Sequence, residues 1–143
     1  MNRQHLIEKM AEISREMIAF RKDLHAHPEL CFEEYRTSQR IAQQLEQWGI
    51  EVHTGIAQTG VVGVIRKGFS QRSVGLRADM DALPITEQNQ FEHASRHLGK
   101  MHACGHDGHV AMLMAAAHYL AKYAEFNRTV YLIYITLAFY SIY

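Results

Sequence analysis

What this sequence lacks narrows its function more than most of what it contains. Two cysteines in 143 residues, Cys31 and Cys104, are too few for a disulfide-stapled secreted scaffold. They favour reduced thiols in a cytoplasmic setting, with one Cys31–Cys104 disulfide as the only pairing the count allows. The first residues, "MNRQHLIEKMAEISREM", are too charged for the apolar stretch of a signal peptide. No run reaches the about 18 apolar residues of a membrane-spanning helix, so no membrane partner is expected. Excess charge is missing too. Fifteen basic and fifteen acidic side chains cancel, leaving no overall basic footprint for nucleic acid or anionic lipid. No repeat, linker or low-complexity tract interrupts the chain.

Against these absences stand ten histidines. Histidine titrates near neutral pH and is the commonest metal ligand, so their placement matters. With 48% hydrophobic and 21% charged residues, the rest of the composition is that of one globular domain with a real core.

Periodicity predicts the elements. Leu6, Met10, Ile13, Met17, Ile18 and Leu24 recur at helical spacing, and Pro28 ends that pattern by forcing His27 out of the helical region. A second helix is expected from Tyr35 to Trp48, with Ile41, Ala42, Leu45 and Trp48 on one face and Gly49 as its stop. "IEVHTGI", "GVVGVIRKG" and "SVGLRADM" read as three strands joined by tight turns. Residues 81–105 are irregular, polar and histidine-rich, as a site-forming loop would be. "HVAMLMAAAHYLAKYAE" is a helix, and "RTVYLIYITLAFYSIY" reads as a buried strand. Helices and strands mixed in this order predict an α/β domain. From Thr129 to Tyr143 there is no glycine, proline or charge, which marks that end as an aggregation site or an unfinished core element.

Three stretches carry chemistry. In "MHACGHDGH" Cys104 and His106 flank Gly105, whose backbone freedom lets both side chains aim at one point, with His102 and His109 outside them. The site lies where a helix begins, and the helix dipole favours a thiolate; thiolate plus neutral imidazole suits zinc and other borderline metals. Two other readings stand beside this one: Asp107 capping the helix with Cys104 packed as a small apolar residue, or a Cys–His nucleophile pair. "LRADMDALPI" ends a strand in Asp79 and Asp81, whose side chains share a side by the two-residue period, or else are solvated acids of a turn. "LHAHPELCFEE" offers His25, His27, Glu29, Glu33 and Glu34, and taken alone is a helix end followed by a polar turn, with Cys31 packed.

Together, "FRKDLHAHPEL", "LRADMDALPI" and "MHACGHDGHVAML" resemble the N-terminal part of the M20 metal-dependent amidohydrolases, nearest to the hippurate hydrolase and indoleacetyl-amino-acid hydrolase subgroup. The likeness runs from about residue 15 to residue 133 and corresponds to about the first third of such an enzyme. It implies part of an α/β/α metallopeptidase-like catalytic domain in residues 1–133, a divergent apolar tail in residues 134–143, and no smaller dimerisation or lid domain. It further implies hydrolysis of the amide bond of N-acyl amino acids at two divalent ions (Zn, Mn, Co or Ni). Cys104 and His106 become metal ligands by resemblance, Asp81 the acid that orients a ligand beside them, and Asp79 a weaker candidate for the same place. His25, His27, His102 and His109 receive no role.

One departure is plain. Where the family pattern reads "TVYLIFQPAEE", with a glutamate pair supplying general base and ligand, this chain reads "TVYLIY" and then "ITLAFYSIY". The expectation is therefore a truncated, inactive form of an amidohydrolase. Its alternatives are a metal-binding remnant without catalysis, or an interaction fragment forming homo-oligomers or aggregates through its apolar C-terminal strand.

Overall fold

The computed structural model describes residues 3–136. Helix α1 spans Arg3–Ala26 and buries Ile13, Met17, Phe20 and Leu24. Ile18, expected on that stripe, instead faces outward at 56% exposure, and Phe20 fills the core in its place. Helix α2 spans Tyr35–Gln47 and buries Thr37, Ile41, Ala42 and Leu45. It closes on Gly49 at φ 73°: Gly49 N–H donates to Glu46 O at 2.9 Å and Ile50 N–H to Leu45 O at 3.1 Å. This is a Schellman ending, which explains why a glycine sits there.

The strands are β1 (Glu51–Ile56), β2 (Gly60–Lys67), β3 (Ser73–Asp79) and β4 (Arg128–Ile135), with helix α3 (His106–Lys122) before the last. Sheet order is β1-β2-β4-β3. Strands β2 and β3 therefore do not pair with each other. β4 lies between them, antiparallel to β2 and parallel to β3. A parallel pair needs a crossover, and the 81–105 segment with α3 provides it. Residues 128–135 of the apolar C-terminal run are thus a central strand with both edges paired. The remainder of that run, residues 137–143, lies outside the described residues.

Helix α2 packs on β1 and β2, α3 on β3 and β4, and α1 lies against α3. The inward positions of β4, Val130, Leu132 and Tyr134, are 4%, 0% and 0% exposed, whereas outward Tyr131 is 36% exposed. Among the described residues the helices cover one sheet face only. No helix among them is long and apolar enough to cross a membrane.

Candidate metal centre

The three stretches singled out from sequence meet at the C-terminal end of β3. Two short bridges bring them together. Leu30 pairs with Ala82 and Leu83 with Met101, so "HPELC" and "MHACG" both lie alongside "DMDAL". Ala82 N–H donates to Glu29 O at 2.8 Å, and Leu83 and Met101 exchange backbone bonds of 2.9 and 3.0 Å.

Within this junction Asp81 and His106 are a pair. His106 Nδ1 lies 2.9 Å from Asp81 Oδ1 and 3.0 Å from the Asp81 carbonyl oxygen. Both partners only accept, so Nδ1 is the donor, and the neutral ring in this tautomer has its lone pair on Nε2, where a ligand can use it. A carboxylate behind a histidine in this manner fixes the tautomer and ring orientation that metal ligation needs. Cys104 is exposed, Cys31 is half-buried, and both are free thiols. Gly105 between Cys104 and His106 is left-handed (φ 78°, ψ 20°), and its carbonyl accepts the N–H groups of Gly108 and His109 to open α3. The donor set, a solvent-facing thiol and an imidazole with a free Nε2, fits a borderline divalent ion. It is also small. Among the described residues no three His, Cys, Asp or Glu side chains converge to hold an ion.

The two acids of "RADMD" part company. Asp79 pairs with Arg77 on β3 itself, while the chain leaves the strand after Asp79 and carries Asp81 to His106. Asp107 does not cap α3, which has no side-chain cap bond. It is fully buried, with Oδ2 receiving His25 Nδ1 at 2.8 Å and Arg21 Nε at 3.1 Å. Burial alone would raise its carboxyl, but the His25 bond and the charge of Arg21 outweigh that and hold it below the usual carboxylate value. His102 is 4% exposed and neither ring nitrogen has a protein partner among the described residues. Burial pushes it down to about 4 despite the nearby Asp107, so it is neutral.

The "LHAHPELCFEE" turn is largely structural. His27 Nδ1 bonds Asp23 O at 2.8 Å, closing α1. Glu29 accepts the N–H groups of Arg36 (3.0 Å) and Thr37 (2.7 Å), so it satisfies the free first turn of α2 from outside the helix. Burial and the charges of Glu34 and Asp81 push the Cys31 thiol up, away from a reactive thiolate. Two further acids have buried side chains. Glu34 is fully buried and receives the hydroxyls of Thr59 (2.6 Å) and Thr136. Glu87 takes the other nitrogen of His25 at 3.1 Å. A detectable signal existed for one end of this network: Arg21 and His25 continue the apolar row of Ile13 and Met17 at four-residue spacing, so polar groups lie on a buried face.

The comparisons agree with this frame. Residues 75–136 match peptidase family M20/M25/M40. The chain is 46% identical over 118 residues to hippurate hydrolase of Campylobacter jejuni, a match covering 82% of this chain and 31% of that protein. It is 49% identical over 115 residues to an IAA-amino acid hydrolase of Arabidopsis thaliana, covering 80% and 26%. A crystal structure from Bacillus subtilis, described as a dinuclear metal binding peptidase from the M20 family, superposes with TM-score 0.81 at 40% identity, over 87% of this chain and 35% of that one. The fold, a mixed sheet under helices with its polar residues gathered past β3, is of the α/β metallopeptidase class. The chain belongs to the M20 peptidase family, and it spans about a third of the length of the relatives it matches.

Proposed function

We propose that this chain carries the first part of the metal site of an amidohydrolase for N-acyl amino acids. Cys104 and His106 are its ligands and Asp81 is the residue that orients His106. The observation that carries this is the Asp81–His106 pair at 2.9 Å beside an exposed Cys104. The names of the hippurate and IAA-amino acid hydrolases support an acylated amino acid as substrate. A divalent ion bound there would supply Lewis acidity toward an amide carbonyl and a more acidic water. In this chain Asp81 holds the proton on His106 Nδ1, and Gly105 turns the backbone so that Cys104 and His106 flank one point.

The same residues limit the chain. A catalytic zinc site usually has three protein ligands, and a general base contributes typically about 10² to 10⁴ in rate. No third ligand converges with Cys104 and His106 among the described residues, and the carboxylate beside them, Asp81, is engaged by His106. We therefore propose a chain that takes up metal without hydrolysing substrate on its own, with residues 1–133 as catalytic-domain sequence and residues 134–143 as divergent tail. Two free thiols support a reducing, cytoplasmic setting.

Cobalt(II) titration tests this. Expected are thiolate-to-cobalt charge transfer and d–d bands that vanish in Cys104→Ser and weaken in His106→Ala, with no amino acid released from hippurate. Absence of metal-dependent bands from the native chain would overturn the ligand assignment. Metal-dependent hippurate cleavage would overturn the inactive form.

A further inference from the structure

His25 sits in the last turn of α1 and is 6% exposed. Its ring lies between two carboxylates from different parts of the chain. Nδ1 is 2.8 Å from Asp107 Oδ2 and Nε2 is 3.1 Å from Glu87 Oε1, and the two acidic side chains are 0% and 3% exposed. These partners are 82 and 62 residues away in sequence. Each ring nitrogen is thus within hydrogen-bond distance of a buried carboxylate, one on either side of the ring.

The placement of the two acids gives the histidine its meaning. Asp107 follows His106 directly, in the first turn of α3. Glu87 belongs to the irregular segment that carries Asp81, and it organises that segment locally: Ser95 N–H donates to Glu87 Oε2 at 2.5 Å and Asn89 Nδ2 to Oε1 at 3.0 Å. Arg96 N–H adds a bond to Ala26 O at 2.9 Å, one residue past His25. The segment bearing the orienting acid and the helix bearing the oriented imidazole are thus both tied to the end of α1, and His25 is the side chain common to both ties.

We infer that His25 is a positioning residue. Through Glu87 and Asp107 it locks the 81–105 segment to the start of α3, so that Asp81 meets His106 Nδ1 and His106 Nε2 faces one direction. This rests on the ligand assignment proposed above. His25 touches neither Cys104 nor His106; it sets their mutual geometry from behind.

The test is a double-mutant cycle read by cobalt(II) absorbance on the full chain, with His25→Ala, Glu87→Ala and the double variant. Partners behind metal ligands typically change affinity by about 10- to 100-fold, and the low end, about tenfold, is expected for each single variant together with shifted d–d bands. The double variant should bind no more weakly than either single one, because both remove the same tie. Leu45→Ala, a core truncation under α2, is the control: it lowers the melting temperature but leaves cobalt affinity and band positions as in the native chain. Native affinity and bands in both single variants would overturn the inference, as would losses that simply multiply in the double variant. Should His25→Ala fail to fold, Glu87→Ala against Leu45→Ala makes the same discrimination. If the native chain takes up no cobalt, the ligand assignment fails on its own. Amide hydrogen exchange then decides on His25: residues 81–109 should lose protection in Glu87→Ala, and unchanged protection would overturn the tie.

Discussion

Three positions apart in sequence, Cys104 and Asp107 occupy opposite environments. Cys104 is exposed and unpaired, and close to it in sequence His106 commits its Nδ1 to Asp81. Asp107 is wholly buried, and one of its oxygens takes two cationic or polar donors from α1. One rim of the α3 entrance is left open for a ligand, and the other is filled by protein. The difference teaches where each kind of polar group is useful. A donor meant for an ion has to remain unsatisfied by protein, while a charge that orients backbone is kept in place only if its partners are dry and close.

The comparison breaks most sharply at Asp107. Asp107→Ala leaves His25 and Arg21 facing an emptied position, and removing one member of a buried pair costs about 3–5 kcal/mol. Arg21 is half exposed, with 52% of its side chain accessible, so the expected loss is the low end, about 3 kcal/mol. Urea unfolding with chelator present measures it. A loss below about 1 kcal/mol would mean that the buried rim is no more critical than a surface charge pair.

Acid probes the same rim less severely. His102 titrates near 4 in the folded chain against 6.5 unfolded. Its folded value is depressed, so the unfolded chain binds the extra proton first, and stability is full above 6.5 and declines as pH falls toward 4. The expected loss is on the order of 2 kcal/mol. Asp107 and Glu87, both held below the usual carboxylate value, extend the decline at lower pH. Chelated samples unfolded at pH 7, 5.5 and 4.5 show the slope, and His102→Leu should flatten it.

Gly105 separates the two rims, and its left-handed backbone makes Gly105→Ala cost about 1 kcal/mol. The smallest effect is expected on the open rim. Cys104→Ser should change metal-free stability by less than about 0.5 kcal/mol, the range of ordinary surface substitutions, while abolishing the cobalt charge-transfer band. A large metal-free loss would show that Cys104 is packed after all.

Much of this was legible in the sequence. All seven elements follow from local pattern, because apolar spacing and stop residues such as Gly49 act within a few positions. Strand order does not. "TVYLIY" announces a buried strand but cannot say that it enters between β2 and β3, since that choice depends on which edges α3 can reach. The same divide runs through the site. Asp81, Cys104 and His106 stand in recognisable stretches, and the fold brings Asp81 Oδ1 to 2.9 Å from His106 Nδ1. His25, Asp107 and Glu87 form their network across 62 to 82 residues, and charged letters in a sequence look the same whether they end in water or in the core. The burial of Glu34 was not legible either, since the hydroxyls it accepts come from Thr59 and Thr136, 25 and 102 residues away.

A Cβ of L configuration built on Gly105 meets nothing within 4 Å. What bars a side chain at this position is torsion alone, and torsion has handedness. The conformation forbidden to an L-alanine is the natural one for its mirror image. A chain assembled by chemical ligation with D-alanine at position 105 should therefore fold and bind cobalt like the native one, and should stiffen the link between Cys104 and His106 by removing glycine's alternatives from the unfolded state. The hinge of this centre is thus chiral rather than steric.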